Sequence, residues 1–157
     1  MYGIIATWRM ALEGISKADS MLKNNESAAD SIEEAIKAVE DFEYYKSVGY
    51  GGLPNEEMEV ELDAAFMDGD TLEFGCVGGI KDFANPVSIA RSLMHYDANN
   101  FLIGQGAEKY ASRHGFERKT MLTDRAKIHY HNRTKEITNT ELKPYSGHDT
   151  VGMVCLD

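Results

Sequence analysis

One stretch limits the possible folds of this chain more than any other: an apolar run that begins with a hydroxyl and stands directly behind an acidic residue. Thr150 opens Val151-Gly152-Met153-Val154-Cys155-Leu156, and Gly147-His148-Asp149 precede it. The run has the apolar density of a buried strand. A threonine hydroxyl is a weak nucleophile unless a base lies within hydrogen-bond reach. Cutting the chain just before the threonine supplies one, because its own α-amine is then free. A free α-amine, with a pKa of about 7.7–8.0, is substantially neutral near physiological pH. A buried strand that starts with threonine behind a cleavable loop is the architecture such chemistry requires. Taken alone, His-Asp-Thr is a three-residue signal, and a threonine that merely starts a core strand is its better explanation.

The pattern elsewhere predicts a mixed α+β chain. Residues 2–7 read as a short apolar strand leading into Trp8. Ala11, Ile15, Ala18 and Leu22 follow helical spacing up to the Asn24-Asn25 turn. Ser27 is placed to cap a second helix carrying Ala29, Ile32, Ile36 and Val39 on one face, with acidic residues in its first turn. The glycines at 49, 51 and 52 interrupt that pattern; the absence of a Walker lysine or a GxGxxG after a strand argues against a phosphate cradle. Alternation over residues 57–64 predicts a strand with one wet face, and Asp68-Gly69-Asp70 a hairpin turn into residues 72–77. Asn85 and Pro86 begin a helix, Phe101-Leu102-Ile103 form a strand, and Ala107 to His114 form a helix with Gly115 as its cap. Beyond Phe116 the pattern weakens, with a broken helix near 122–131 and a loop carrying Pro144.

Composition excludes several classes. A net charge of −10 argues against general nucleic-acid binding, which depends on neutralising phosphates. The charge is uneven: residues 113–135 carry a net +5 against −15 elsewhere, a segment that could contact an acidic surface of this protein or of a partner but reads better as a solvated connecting arm. Nothing approaches the run of about 18 apolar residues of a membrane helix, and the first residues lack the regions of a signal peptide. Cys76 and Cys155 lie in apolar contexts and read as two buried, reduced thiols. The expected location is therefore cytoplasmic, with no membrane and no nucleic-acid partner. His129 and His131 form a His-x-His pair that could ligate metal on a strand, but no third ligand is in register. No metal or other cofactor is expected. Asp68 and Asp70 are better explained by turn chemistry than as catalytic carboxylates.

Gly-His-Asp-Thr-Val-Gly-Met-Val (147–154) resembles the self-cleavage site of the glycosylasparaginases, which belong to the N-terminal nucleophile hydrolases. Further matches follow in family order. Ile4-Ile5-Ala6-Thr7-Trp8 resembles the first strand and its tryptophan, and Ser47-Val48-Gly49-Tyr50-Gly51-Gly52-Leu53-Pro54 the Ser-Val-Gly-aromatic-Gly-Gly loop. Leu62 to Gly69 and Gly75-Cys76-Val77-Gly78 are similar to the central hairpin, and Asn85 to Arg91 to the helix after it.

The resemblance implies an α+β fold: the N-terminal half of a four-layer αββα sandwich, with residues 1–157 a single incomplete domain. Within it, residues 1–149 are α-subunit-like and 150–157 the start of a β-subunit-like strand. It also implies roles. Thr150 would attack the carbonyl of Asp149, with Asp149 assisting proton transfer. His148 and Ser47 would support the cleavage, and Gly147 and Gly152 could permit unusual backbone geometry. The freed threonine would then hydrolyse the side-chain amide of an asparagine derivative, a small molecule. Trp8 would line the substrate pocket, with a plain core aromatic as the alternative. The aspartate before the threonine favours a glycosylasparaginase over the isoaspartyl peptidases and plant-type asparaginases, which usually carry glycine there. Family precursors continue beyond this strand and supply the substrate grip and oxyanion hole downstream. The isolated chain is therefore expected to be inactive unless a missing β-subunit half, or self-association, completes it. A truncated, non-enzymatic associating fragment is the alternative of another class.

Overall fold

The computed structural model describes residues 1–139 and 150–157. Loop residues Pro144 and Gly147, and the site residues His148 and Asp149, lie outside the described residues. The fold is mixed α+β, with five α-helices and two small sheets among the described residues.

Strand β1 (Gly3–Ala6) pairs antiparallel with β5 (Met153–Leu156), bringing the two ends of the chain together. A 3₁₀ turn (Arg9–Ala11) leads into α1 (Leu12–Lys23), which packs on α2 (Ala28–Glu40). The predicted apolar stripe of α1 is present, but the closest approach is made by a residue the periodicity did not mark. A Cβ on Gly14 would lie 2.4 Å from the Ala35 carbonyl oxygen, so the crossing depends on glycine. The facing side of α2 is the small-residue stripe Ser31, Ala35 and Val39, all buried, while Ala29, Ile32 and Ile36 lean on the main core. Ser27 caps α2 as expected: its Oγ accepts from the Asp30 N–H at 3.0 Å.

The second sheet has the order β2-β3-β4. β2 (Glu61–Met67) and β3 (Phe74–Lys81) are antiparallel, with a bulge between Leu62 and Ala64; β3 and β4 (Phe101–Ile103) are parallel. The strand expected from residue 57 begins only at Glu61. Before it, the Asn55 side-chain oxygen accepts the N–H groups of Glu57 and Glu59, both at 3.0 Å, and folds the segment into a turn. The hairpin turn is where the sequence put it. Asp68 Oδ1 accepts from Asp70 and Thr71, both at 2.9 Å, although the turn runs on so that β3 starts at Phe74.

Helices α3 (Pro86–Leu93) and α4 (Gly104–Arg113) cover one face of this sheet. Between them lies the core, centred on Phe66, Val77, Ile80, Phe83, Ile89, Leu93 and Met121. At Gly75 a Cβ would meet the Ala90 carbonyl oxygen at 2.0 Å, so α3 rests directly on the β3 backbone. Gly115, at φ 77°, ends α4 as expected. The opposite sheet face, with Met67, Phe74, Phe101 and Ile103, is exposed.

Three expectations need correction. The broken helix near 122–131 is one continuous helix, α5 (Asp124–Asn139). The basic segment around it is no solvated arm. Arg118 lies over the Phe83 ring at 5.5 Å, Lys119 over Tyr50 at 4.0 Å and Arg125 over Tyr44 at 4.3 Å, so cation–π contacts strap it to the body. Both cysteines are free but half-exposed rather than buried, with burial still raising their thiol pKa values.

Candidate active site

The pairing of β1 with β5 decides what stands near Thr150. One step beyond the last paired residues, the Thr7 N–H donates to the Gly152 carbonyl at 2.9 Å, and the Gly152 N–H donates to Thr7 Oγ1 at 2.8 Å. The β1 end is thus clasped to a residue two positions after Thr150. Thr150 itself is exposed, not packed in hydrocarbon. Sequence reasoning passed over Thr7. The only signal was a hydroxyl closing an apolar strand, directly before the tryptophan.

Trp8, next in the chain, has φ 65° and ψ 151°. This region is essentially reserved for glycine and costs a bulky residue about 1–3 kcal/mol. Such strain persists only where surrounding structure imposes it, and it concentrates at functional sites. The indole is half-exposed, so Trp8 is not a plain core aromatic. Trp8 is one of six non-glycine residues with positive φ among the described residues, and the freedom that Gly152 could provide is not used. Gly152 has no positive φ, and a Cβ there would meet Thr7 at an ordinary 3.7 Å.

Ser47 lies in a different loop. Gly49 and Gly51 have φ 58° and 84°, and added Cβ atoms would strike the carbonyl oxygens of Glu40 at 2.0 Å and Glu43 at 2.5 Å. Glycine is therefore required there to fold the loop back onto the end of α2. The loop is fastened by the Tyr50 N–H to the Glu40 carbonyl (2.7 Å) and by the Gly51 N–H to the Met121 carbonyl (2.9 Å). Among the described residues, no hydrogen bond joins the half-buried Ser47 to Thr7 or Thr150.

Glu40 was also missed. Its carboxylate is 5% exposed and accepts the Val87 N–H at 3.2 Å, at the start of α3. It takes the capping role expected of Asn85, the residue before Pro86 at the start of that helix. The Asn85 side chain makes no cap; it donates instead to Asp41 (3.1 Å) and Glu40 (3.5 Å) from a left-handed backbone. Burial pushes the Glu40 pKa up to about 8; the charges of Asp41 and Glu33 add to the rise, and the donors from Val87 and Asn85 oppose it.

Asp68 acts only as a turn acceptor, as its sequence context indicated. His129 and His131 lie on α5, where a two-residue step turns side chains about 200° apart. Among the described residues, no group of three or more His, Cys, Asp or Glu is arranged to hold a metal ion, and no helix is long and apolar enough to cross a membrane.

Comparison with known proteins gives a consistent result. The asparaginase family (Asparaginase_2) matches residues 6–157. An N(4)-(β-N-acetylglucosaminyl)-L-asparaginase from Elizabethkingia miricola is 32% identical over 154 residues, covering 98% of this chain and 45% of the relative. An isoaspartyl peptidase/L-asparaginase from Rattus norvegicus is 35% identical over 152 residues, covering 92% of this chain and 45% of the relative. A plant-type L-asparaginase from Thermococcus kodakarensis is 38% identical over 121 residues, covering 77% and 35%. The chain spans about half the length of the first two of these relatives, 45% in each case.

Proposed function

Because the chain belongs to the type 2 asparaginase family, we propose that it is the amino-terminal part of a self-cleaving threonine amidohydrolase acting on asparagine derivatives. The observation that carries the reading is the clasp between Thr7 and Gly152. It brings an exposed Thr150 to the same end of the sheet as the strained Trp8.

In this reading the Thr150 hydroxyl attacks the Asp149 carbonyl carbon. The peptide C–N bond breaks, and an ester takes its place. Water hydrolyses the ester, leaving the Asp149 carboxylate and a threonine with both its hydroxyl and a new α-amine. That amine then takes the hydroxyl proton as Thr150 attacks the side-chain amide carbon of the substrate. The amine product leaves with a proton, and water releases aspartate from the enzyme. Asp149 assists the first proton transfer, His148 and Ser47 support the cleavage geometry, and Trp8 lines the substrate pocket.

The substrate class follows the names of the relatives, with glycosyl-asparagine first because Asp149 precedes the nucleophile. The rodent similarity favours isoaspartyl peptidase/L-asparaginase as the second reading. The sandwich of four layers is part of the same proposal, and two exposed apolar sheet faces support it. One carries Ile5, Val154 and Leu156; the other carries Met67, Phe74, Phe101 and Ile103. Contiguous apolar faces of this kind mark covered surfaces. A β-subunit half, or a second copy, is the proposed cover and completes the active enzyme.

Intact mass spectrometry of the completed protein during prolonged incubation tests the first step. The expected result is a break between Asp149 and Thr150 in the wild type and none in Thr150→Ala. An intact wild type, or equal cleavage in the variant, refutes the reading. Assays of the completed protein with glycosyl-asparagine and β-aspartyl dipeptides separate the two substrate readings.

A further inference from the structure

Two strands without a polar face need something other than hydrophobic alternation to choose their register. β1 is Gly-Ile-Ile-Ala and β5 is Met-Val-Cys-Leu. In the observed pairing Ile4 lies opposite Cys155 and Ile5 opposite Val154. Ile5, Val154 and Leu156 face outward, while Ile4, Ala6, Met153 and Cys155 are half-buried. A slip of one residue exchanges the two sets of β5. Both sets are apolar, so burial discriminates poorly between the registers.

Polar contacts at the two ends break the tie. At the beginning of β5 stands the Thr7 clasp on Gly152. At its end, Asp157 Oδ2 accepts the N–H of Ala28, the first residue of α2, at 2.6 Å. Ser27 meanwhile serves the Asp30 N–H, so two acceptors divide the open donors of that helix end. The contact joins an anion to the positive end of a helix dipole. A one-residue slip carries Asp157 about 3.4 Å along the strand and breaks it.

We propose that Asp157 is a positioning residue: by gripping the N-terminus of α2 it locks β5 into one register and so fixes where Thr150 stands. The inference rests on the reading of Thr150 as nucleophile and adds the residue that aims its segment.

Two variants of the full chain remove the contact from opposite sides. Asp157→Ala deletes the acceptor. Ala28→Pro deletes the donor at the first helical position, where proline is well tolerated. Each is expected to slow cleavage before Thr150 by on the order of tenfold or more, the scale of a lost charge-assisted hydrogen bond. Asp157→Asn, which keeps an acceptor oxygen, is expected to restore most of the rate. The native Cys155 gives a readout independent of cleavage. Ile4→Cys places a second thiol opposite it, and peptide mapping after mild oxidation measures the linked fraction. That fraction is expected to fall several-fold when Asp157→Ala or Ala28→Pro is added and to recover with Asp157→Asn. Wild-type cleavage rates in both contact-deleting variants, or lost cleavage with an unchanged linked fraction, overturn the proposal. A wild type that never cleaves refutes the nucleophile reading instead. The cross-link then decides the register claim alone, and an unchanged linked fraction overturns it.

Discussion

Replacing Glu40 by glutamine is expected to stabilise the protein in mildly alkaline solution and to weaken it slightly in acid. The carboxyl is buried against the first turn of α3, and its pKa is pushed up to about 8, chiefly by burial. In the unfolded chain it returns to its ordinary value near 4.5. Between those values the folded protein holds a proton that the unfolded chain has released. Stability therefore falls as pH rises, by at most about 1.4 kcal/mol per pH unit for one group. The contribution is fully present below pH 4.5 and lost as pH climbs through 8. From pH 5 to 8 the loss amounts to about 3 kcal/mol, a large part of the roughly 5–15 kcal/mol typical of a domain.

Glutamine does not titrate, and its side-chain oxygen can still accept from Val87. Its amide cannot accept from Asn85, a loss of about 1 kcal/mol. The two stability curves are therefore expected to cross at about pH 5, where the titration cost overtakes that loss. Urea denaturation followed by circular dichroism, at steps from about pH 4 to 8.5, measures both curves. Other carboxylates act in a different window. Asp30, held below its usual range by Ser27 and Arg91, and Glu34, held there by Lys17 and Lys37, lose their contributions as pH falls through their lowered pKa values. His129, lowered by burial and by Lys46 and Arg125, likewise loses its contribution as pH falls, opposite in sign to Glu40, and is common to both proteins. Parallel wild-type and Glu40→Gln curves between pH 5 and 8 would refute the reasoning.

Two further changes probe the packing. Thr7→Val keeps the shape of the side chain but removes the acceptor for the Gly152 N–H. Faster hydrogen exchange of the Gly152 amide is expected, with a loss of about 1 kcal/mol in global stability because water can reach the site. Gly75→Ala drives a Cβ to 2.0 Å from the Ala90 carbonyl oxygen. Both atoms belong to rigid elements, so a loss of about 3 kcal/mol or more is expected in chemical denaturation, and an unchanged midpoint would show that α3 can move away.

What the sequence settled by itself was local. Ser27 meets Asp30 within one helical turn, Asp68 binds the amides of Asp70 and Thr71, and Gly115 ends α4 in a left-handed conformation. The apolar period marked the first four helices because each stripe is read from neighbours three or four residues apart, whereas the polar α5 carries no such stripe and read as a broken helix. The family followed from ordered motifs at Trp8, Ser47 to Pro54 and Thr150. Where local reading failed, the competing contact was also informative: the Asn55 turn replaced the first half of an alternating strand.

The tertiary structure alone decided the rest. The Gly152 N–H finds Thr7 across 145 residues, the Ala28 N–H finds Asp157 across 129, and the Val87 N–H finds Glu40 across 47. Neither Gly14 nor Gly75 announces the backbone that will press on it. The register of β1 against β5 is likewise invisible in two strands that are apolar on both faces. A residue's neighbours along the chain fix its preferred backbone and its period. Its partners across the fold depend on which surfaces meet, and that is settled only when the whole chain packs.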